Sequence, residues 1–453
     1  MSPFKQLSVV LLCVSLAQSS CVKPKCDFAE YRDDPVCQET PNITLDSVRW
    51  SLNEGVSTTL VFKAENVSLE GKEVLLSNGG VEVSLPAIDA EGKVTVVLGG
   101  MNPKLTPGKT TISVDGQKIK DGRLYRTPKF SGSGESKEIT DYLKRDQGTL
   151  TASGVVRSLG IVNLTVNNQP TKRIFVFEKR NVSGSYYAAL SRTNGLSGTD
   201  GWVVEDFRVS DGLYSDNFQD SLATAGKKIF FATKNNNDTN FIRGVVDSMS
   251  IVYTHTRILG VPRVASLAAD TSGGFLAGIV DGKLAVWPLE GTGELGKETD
   301  LSAGDASSPD RGLVLVGDLD GDGKTDLISW NHALSNPVVW LHKGELSEWK
   351  FERASFNNIP IIDKSEQPEQ QRFAMGDLDQ DGLADLVVAK SDGIKICYNN
   401  GQSGFEEANA VANVQSAYAL GIGVGTAKPS IVYATNTVTG TDKKTFIHLL
   451  AAQ

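Results

Sequence analysis

From Thr44 onward the chain is written in short apolar–polar alternations divided by turn residues, the period of strands with one buried face. The first group falls at Ser57–Lys63, Val74–Leu76, Val81–Leu85, Lys93–Leu98 and Thr110–Val114. Turns such as Asn78-Gly79-Gly80 and Thr106-Pro107-Gly108 separate them. Strands this short and this closely spaced predict an antiparallel sandwich over residues 44–120. Residues 121–146 carry Ser131-Gly132-Ser133-Gly134 and several charges, and read as a linker with one helical turn near Ile139–Leu143.

Residues 147–453 follow a different rule, a repeat of one apolar strand, a tight turn, a second apolar strand and a third of alternating type. Two strong copies begin at Leu313 and Arg372, and weaker ones cover Val155–Phe177, Ser221–Ala232, Val264–Val280 and Tyr418–Tyr433. Their spacing of about 45 to 60 residues suits one four-stranded propeller blade each. The last copy reaches Phe446–Leu450 and lacks a fourth strand, so the β-prone stretch Thr149–Ser153 is expected to complete it. That exchange closes the ring by joining its two ends and covers an edge that would otherwise invite aggregation. The prediction is an all-β protein, a small sandwich followed by a six- or seven-bladed β-propeller.

Both strong copies hold Asp-x-Asp-x-Asp-Gly-x-x-Asp, namely Asp318, Asp320, Asp322, Asp326 and Asp377, Asp379, Asp381, Asp385. Alternate aspartates in a tightly wound loop converge on one point, and Gly323 or Gly382 permits the bend. The carbonyl of Lys324 or Leu383 can join them. Eight crowded carboxylates need a hard cation with flexible coordination, Ca²⁺ before Mg²⁺, at two sites. The twelfth position is Ser329 or Val388 where an EF-hand has Glu, and strands replace the flanking helices. A phosphate loop is excluded too, since five residues separate Gly317 from Gly323-Lys324-Thr325 where four are required.

The Gly-Asp-Leu-Asp-x-Asp-Gly-x-x-Asp-Leu pattern, with its trailing Asn-x-Gly-x-x-Gly-Phe-like segment ending at Phe405, resembles the FG-GAP/VCBS repeat family. That resemblance implies a propeller of the integrin α-chain type, whose calcium sits in the turn between a blade's first two strands and rigidifies it. Asp270-Thr-Ser-Gly-Gly is one residue short of the motif, and Gly421-Ile-Gly-Val has no acids, so the metal role extends only to the eight aspartates above. Residues 44–120 resemble immunoglobulin-like TIG modules in general pattern, without a Cys…Trp…Cys signature.

The N-terminus changes where this protein is expected to work. Residues 1–20 combine Lys5, an apolar run from Leu7 to Ala17 and small residues at Ser19-Ser20, the build of a secretory signal. Cys21 follows directly, as at the cleavage site of a bacterial lipoprotein, where that cysteine is lipidated. Residues 21–43 are then a tether in which Cys26 and Cys37 can pair, an arrangement export permits. Plain cleavage near Ser20 with a different pairing is the alternative. A net charge of −9 argues against nucleic acid or anionic membrane as the main partner, leaving membrane contact to the lipid anchor.

No coherent catalytic set accompanies these loops. His255, His332, His342 and His448 occupy four different repeat positions, and Trp287, Trp330 and Trp340 read as packing between blades before they read as sugar platforms. The expectation is an exported, non-catalytic binding or adhesion module for an extracellular protein or glycan. Its rival is a secreted carbohydrate-active enzyme using Glu205, Asp206 or His255 at the central funnel. The third reading is a purely structural envelope component.

Overall fold

The computed structural model describes residues 42–139, apart from 66 and 131–134, and the strands and tight turns between 155 and 452. The described residues are all-β: they include no helix, and therefore none long and apolar enough to cross a membrane. Cys21, Cys26, Cys37 and Thr149–Ser153 lie outside them.

The N-terminal strands are β1 (Ile43–Leu45), β2 (Arg49–Ser51), β3 (Thr58–Ala64), β4 (Val74–Asn78), β5 (Val81–Leu85), β6 (Lys93–Val96), β7 (Gly108–Val114) and β8 (Gln117–Tyr125). β3, β4 and β7 alternate buried with more open positions, so one face of each is apolar. Two sheets result, β1-β3-β6 and β2-β8-β7-β4-β5, closed over one core that contains Trp50, Leu60, Leu76, Ile112 and Leu124. β2 pairs parallel with β8 and sets Arg49 directly opposite Arg123.

Among the described residues that follow, the strands form six four-stranded antiparallel sheets. Their first strands are Val155–Val166, Asn217–Ala225, Val264–Ala269, Gly312–Gly317, Phe373–Gly376 and Ala417–Gly423. Each first strand contacts the first strand of the next sheet, and the sixth returns to contact the first, which is β-propeller character. Apolar clusters fill the spaces between successive sheets; Trp287, Trp330 and Trp340 are all buried within them.

The sixth sheet corrects the expected closure. Its fourth strand is β9 (Glu135–Glu138), from the segment read as linker, with Glu138 opposite Phe446 and Glu135 opposite Leu449. Ile139 is fully buried in the cluster between the sixth and first sheets, and its N–H donates to the Thr445 carbonyl at 2.9 Å. The physical reason is position: an outermost strand meets solvent, where Glu, Ser and Lys are better suited than a β-branched run. One apolar residue at its end anchors it. β8 also carries the sandwich into the expected linker as far as Tyr125.

Candidate metal centre

The two acidic loops join the first and second strands of the fourth and fifth sheets, between Gly317 and Asp326 and between Gly376 and Asp385. Their backbones match. Gly323 and Gly382 hold φ of 86° and 87°, the left-handed region where glycine is favoured, and Gly321 and Gln380 share that region at 80° and 64°. The loops are also tied to each other, through Ala384 N–H to the Asp318 carbonyl at 2.7 Å and the Asn399 side-chain amide to the Leu319 carbonyl at 2.9 Å.

Within each loop the ninth-position aspartate braces the turn. Asp326 accepts from Leu319 N–H and His342 N–H, both at 2.8 Å, and Asp385 accepts from Leu378 N–H at 2.8 Å and Asn399 N–H at 3.0 Å. The inner aspartates form turns with their own backbone: Oδ1 of Asp320 and Asp322 accepts from the N–H two residues on, as does Oδ1 of Asp379 and Asp381. Asp318 Oδ2 and Asp377 Oδ2 accept from Gly323 and Gly382 at 2.9 and 3.0 Å.

Ligand atoms of Asp318, Asp320 and Asp326 gather within 4.8 Å of one another, and those of Asp377, Asp379 and Asp385 do the same. Asp322 and Asp381, equally expected in the sequence, are not part of these triads. The crowding carries an electrostatic cost. Burial pushes Asp326 and Asp377 up to about 7, and burial followed by repulsion from Asp381 raises Asp379, with Arg49 opposing. Burial holds Asp385 well above the usual carboxylate range. Asp377 Oδ1 is buried with no hydrogen-bond partner. An orphaned acceptor beside two more carboxylates suits a hard divalent ion, which would supply the missing partner and the opposite charge.

Sequence reasoning missed the groups that cover these loops. Arg49 of β2 ion-pairs with Asp379, donates from Nε to Asp381 Oδ2 at 2.8 Å, and reaches Glu406 at 2.6 Å from Nη1. Burial opposes its charge, yet Asp379, Asp381 and Glu406 outweigh that and hold it protonated. Arg123 of β8 donates to the Asp381 carbonyl at 2.6 Å and the Gly321 carbonyl at 3.1 Å. A Cβ on Gly321 would lie 1.6 Å from Arg123 Nη2, so glycine serves the approach of the guanidinium; the turn itself accepts Gln380 at the same position of the second loop. The sandwich therefore sits on both loops.

The other candidates do not assemble. Glu205 and Asp206 lie on the fourth strand of the first sheet and His255 on the fourth strand of the second, the far edges from the strands that ring the centre. A central cavity of about 960 Å³ is bounded instead by first-strand residues such as Ile161, Ala223, Ala268 and Val314, together with Lys227, Gln380 and the loop aspartates Asp318 and Asp377. His342 is buried and stacks against Trp349 and Phe351, and His448 stacks on Tyr433. His332 lies outside the described residues.

No family model and no curated protein matches this chain. Solved structures similar to it include the Tc holotoxin pore of Photorhabdus luminescens (13% identity, TM-score 0.39), matched over 86% of this chain and 18% of that one. The chain thus spans less than a fifth of the toxin's length. An Agrocybe aegerita lectin that recognises non-reducing terminal N-acetylglucosamine matches at 14% identity and TM-score 0.36, over 91% and 94% of the two chains. A Lactobacillus plantarum protein matches at 14% and 0.35, over 62% and 82%.

Proposed function

We propose that this chain is an exported, calcium-binding recognition module without catalytic activity. In this reading it is a six-bladed β-propeller of the FG-GAP/VCBS type. An Ig-like sandwich rests on its calcium loops, and Cys21 holds the chain to the cell envelope by lipid. The observation that carries the reading is the pair of convergent aspartate triads with the partnerless Asp377 oxygen. Asp318, Asp320 and Asp326 would hold one Ca²⁺, and Asp377, Asp379 and Asp385 the other. Bound calcium supplies charge neutralisation and a fixed loop geometry, which is rigidity. The outer placement of Glu205, Asp206 and His255 favours binding over glycoside chemistry. The ligand class is an extracellular protein or glycan, taken by loops away from the calcium rim.

Two measurements test this. Extracellular calcium modules bind at about 10⁻⁴–10⁻³ M, so millimolar calcium should stabilise each site by about 1–2 kcal/mol over EDTA. That rise should vanish in a variant carrying both Asp320→Ala and Asp379→Ala; identical melts of the parent protein in the two buffers would sink the metal reading. The full chain should then retain defined glycans or surface proteins on an array in calcium. Metal binding without any retained ligand would leave the structural envelope role in its place.

A further inference from the structure

The two acidic loops are alike in sequence and backbone but not in what balances their charge. In each, Oδ1 of the inner aspartates is engaged by backbone N–H groups, which leaves Oδ2 as the oxygen free to meet a cation. In the first loop, Oδ2 of Asp320 meets Lys343 at 2.7 Å; that lysine is over a third exposed and flexible, and Asp320 borders an open cleft of about 590 Å³. In the second, Oδ2 of both Asp379 and Asp381 is taken by Arg49, whose side chain is 5% exposed and lies 4.4 Å from the Tyr125 ring centroid. The position equivalent to Lys343 is Asn400, since His342 N–H and Asn399 N–H make the same bond to the ninth-position aspartate. The fifth sheet has Leu383 and Asn400 where the fourth has Lys324 and Lys343 beside Asp322 and Asp320, and the sandwich supplies the cation instead.

Resting on the metal reading above, we propose that Arg49 is a built-in occupant of the second calcium loop. The first loop then loads more readily, by shedding a partly exposed lysine. Calcium enters the second only by displacing the guanidinium from Asp379, which removes the ion-paired tie between the sandwich and that loop. Calcium concentration thereby sets whether the sandwich holds the second loop by its charge or only through the loop carbonyls that Arg123 and the Arg126 N–H engage. Arg123, the neighbour of Arg49 across β2 and β8, bonds loop carbonyls, not carboxylates, so it keeps the sandwich tied to both loops throughout.

The test is calorimetric titration of the calcium-stripped full chain, beside an Arg49→Gln variant and an Asp379→Asn control. Two competing cations coupled at the usual strength make the second site weaker than the first by about 5- to 150-fold. Arg49→Gln should erase most of that gap, and Asp379→Asn should remove the weaker site alone. The parent protein is also footprinted with phenylglyoxal, mapped by mass spectrometry: Arg49 should be protected in EDTA and modified at saturating calcium. This second readout decides the matter if Arg49→Gln does not fold. Two sites of equal affinity, or an Arg49 that stays protected in saturating calcium, overturns the inference and leaves calcium binding intact. No calcium uptake by any form overturns the metal reading and this inference together.

Discussion

Asp326→Asn should stabilise the calcium-free protein near pH 8 while abolishing its response to calcium at the first loop. Asp326 is fully buried, and burial is the main cause that pushes its carboxyl up to about 7; His342 and Leu319 N–H pull it back, and Asp320 and Asp318 add to the rise. In the unfolded chain the same group titrates near 3.9. Between about pH 4 and 7 the folded state keeps a proton that the unfolded state has released. The stability tied to Asp326 is therefore complete below about pH 4 and is lost as pH rises to about 7. About three units at 1.36 kcal/mol each put that loss at about 4 kcal/mol. Asparagine never bears the charge, and its oxygen still accepts one of the two N–H bonds. Its amide nitrogen faces the other N–H, which costs about 1–3 kcal/mol. The variant should thus gain about 1–3 kcal/mol near pH 8 in EDTA. Near pH 5 the relief shrinks to about 1–2 kcal/mol and the two proteins should come out level. Scanning calorimetry in EDTA at both pH values measures this, following the transition that calcium moves in the parent protein, because two modules need not unfold together. A variant less stable than its parent at pH 8 would refute the reasoning, for it would mean the buried carboxylate is satisfied without a cation.

Ile139→Ala should destabilise the propeller by about 2–5 kcal/mol in urea titration, the cost of truncating a core residue. A change within about 0.5 kcal/mol would show that Glu135–Glu138 does not close the sixth sheet. Burial lowers His448 to about 4, so its imidazole proton resonances should stay flat from about pH 5 to 8; a midpoint near 6.5 would place it in solvent. Burial raises the Cys397 thiol to about 11, and Ellman's reagent at about pH 8 should leave it untouched until the chain is unfolded.

What could be read from the chain was whatever is encoded within one strand or one turn. Leu313–Gly317 and Phe373–Gly376 announce buried first strands by composition, and Asp318–Asp326 and Asp377–Asp385 announce convergent acidic turns because each group is contiguous in the chain. The closing strand was misplaced because edge strands need polarity, and Glu135-Ser-Lys-Glu138 carries the same composition as a linker. Arg49 was out of reach for a different reason. It stands 330 residues from Asp379, and only the parallel register of β2 with β8 aims it and Arg123 at the same rim. Half of that signal was nonetheless present. Aligning the repeats sets Asn400 against Lys343, so the fifth sheet visibly lacks the basic residue that balances the fourth. A missing charge in one copy of a repeat says that something else must balance it; which residue does so is a property of the fold, and no local pattern around Arg49 carries it.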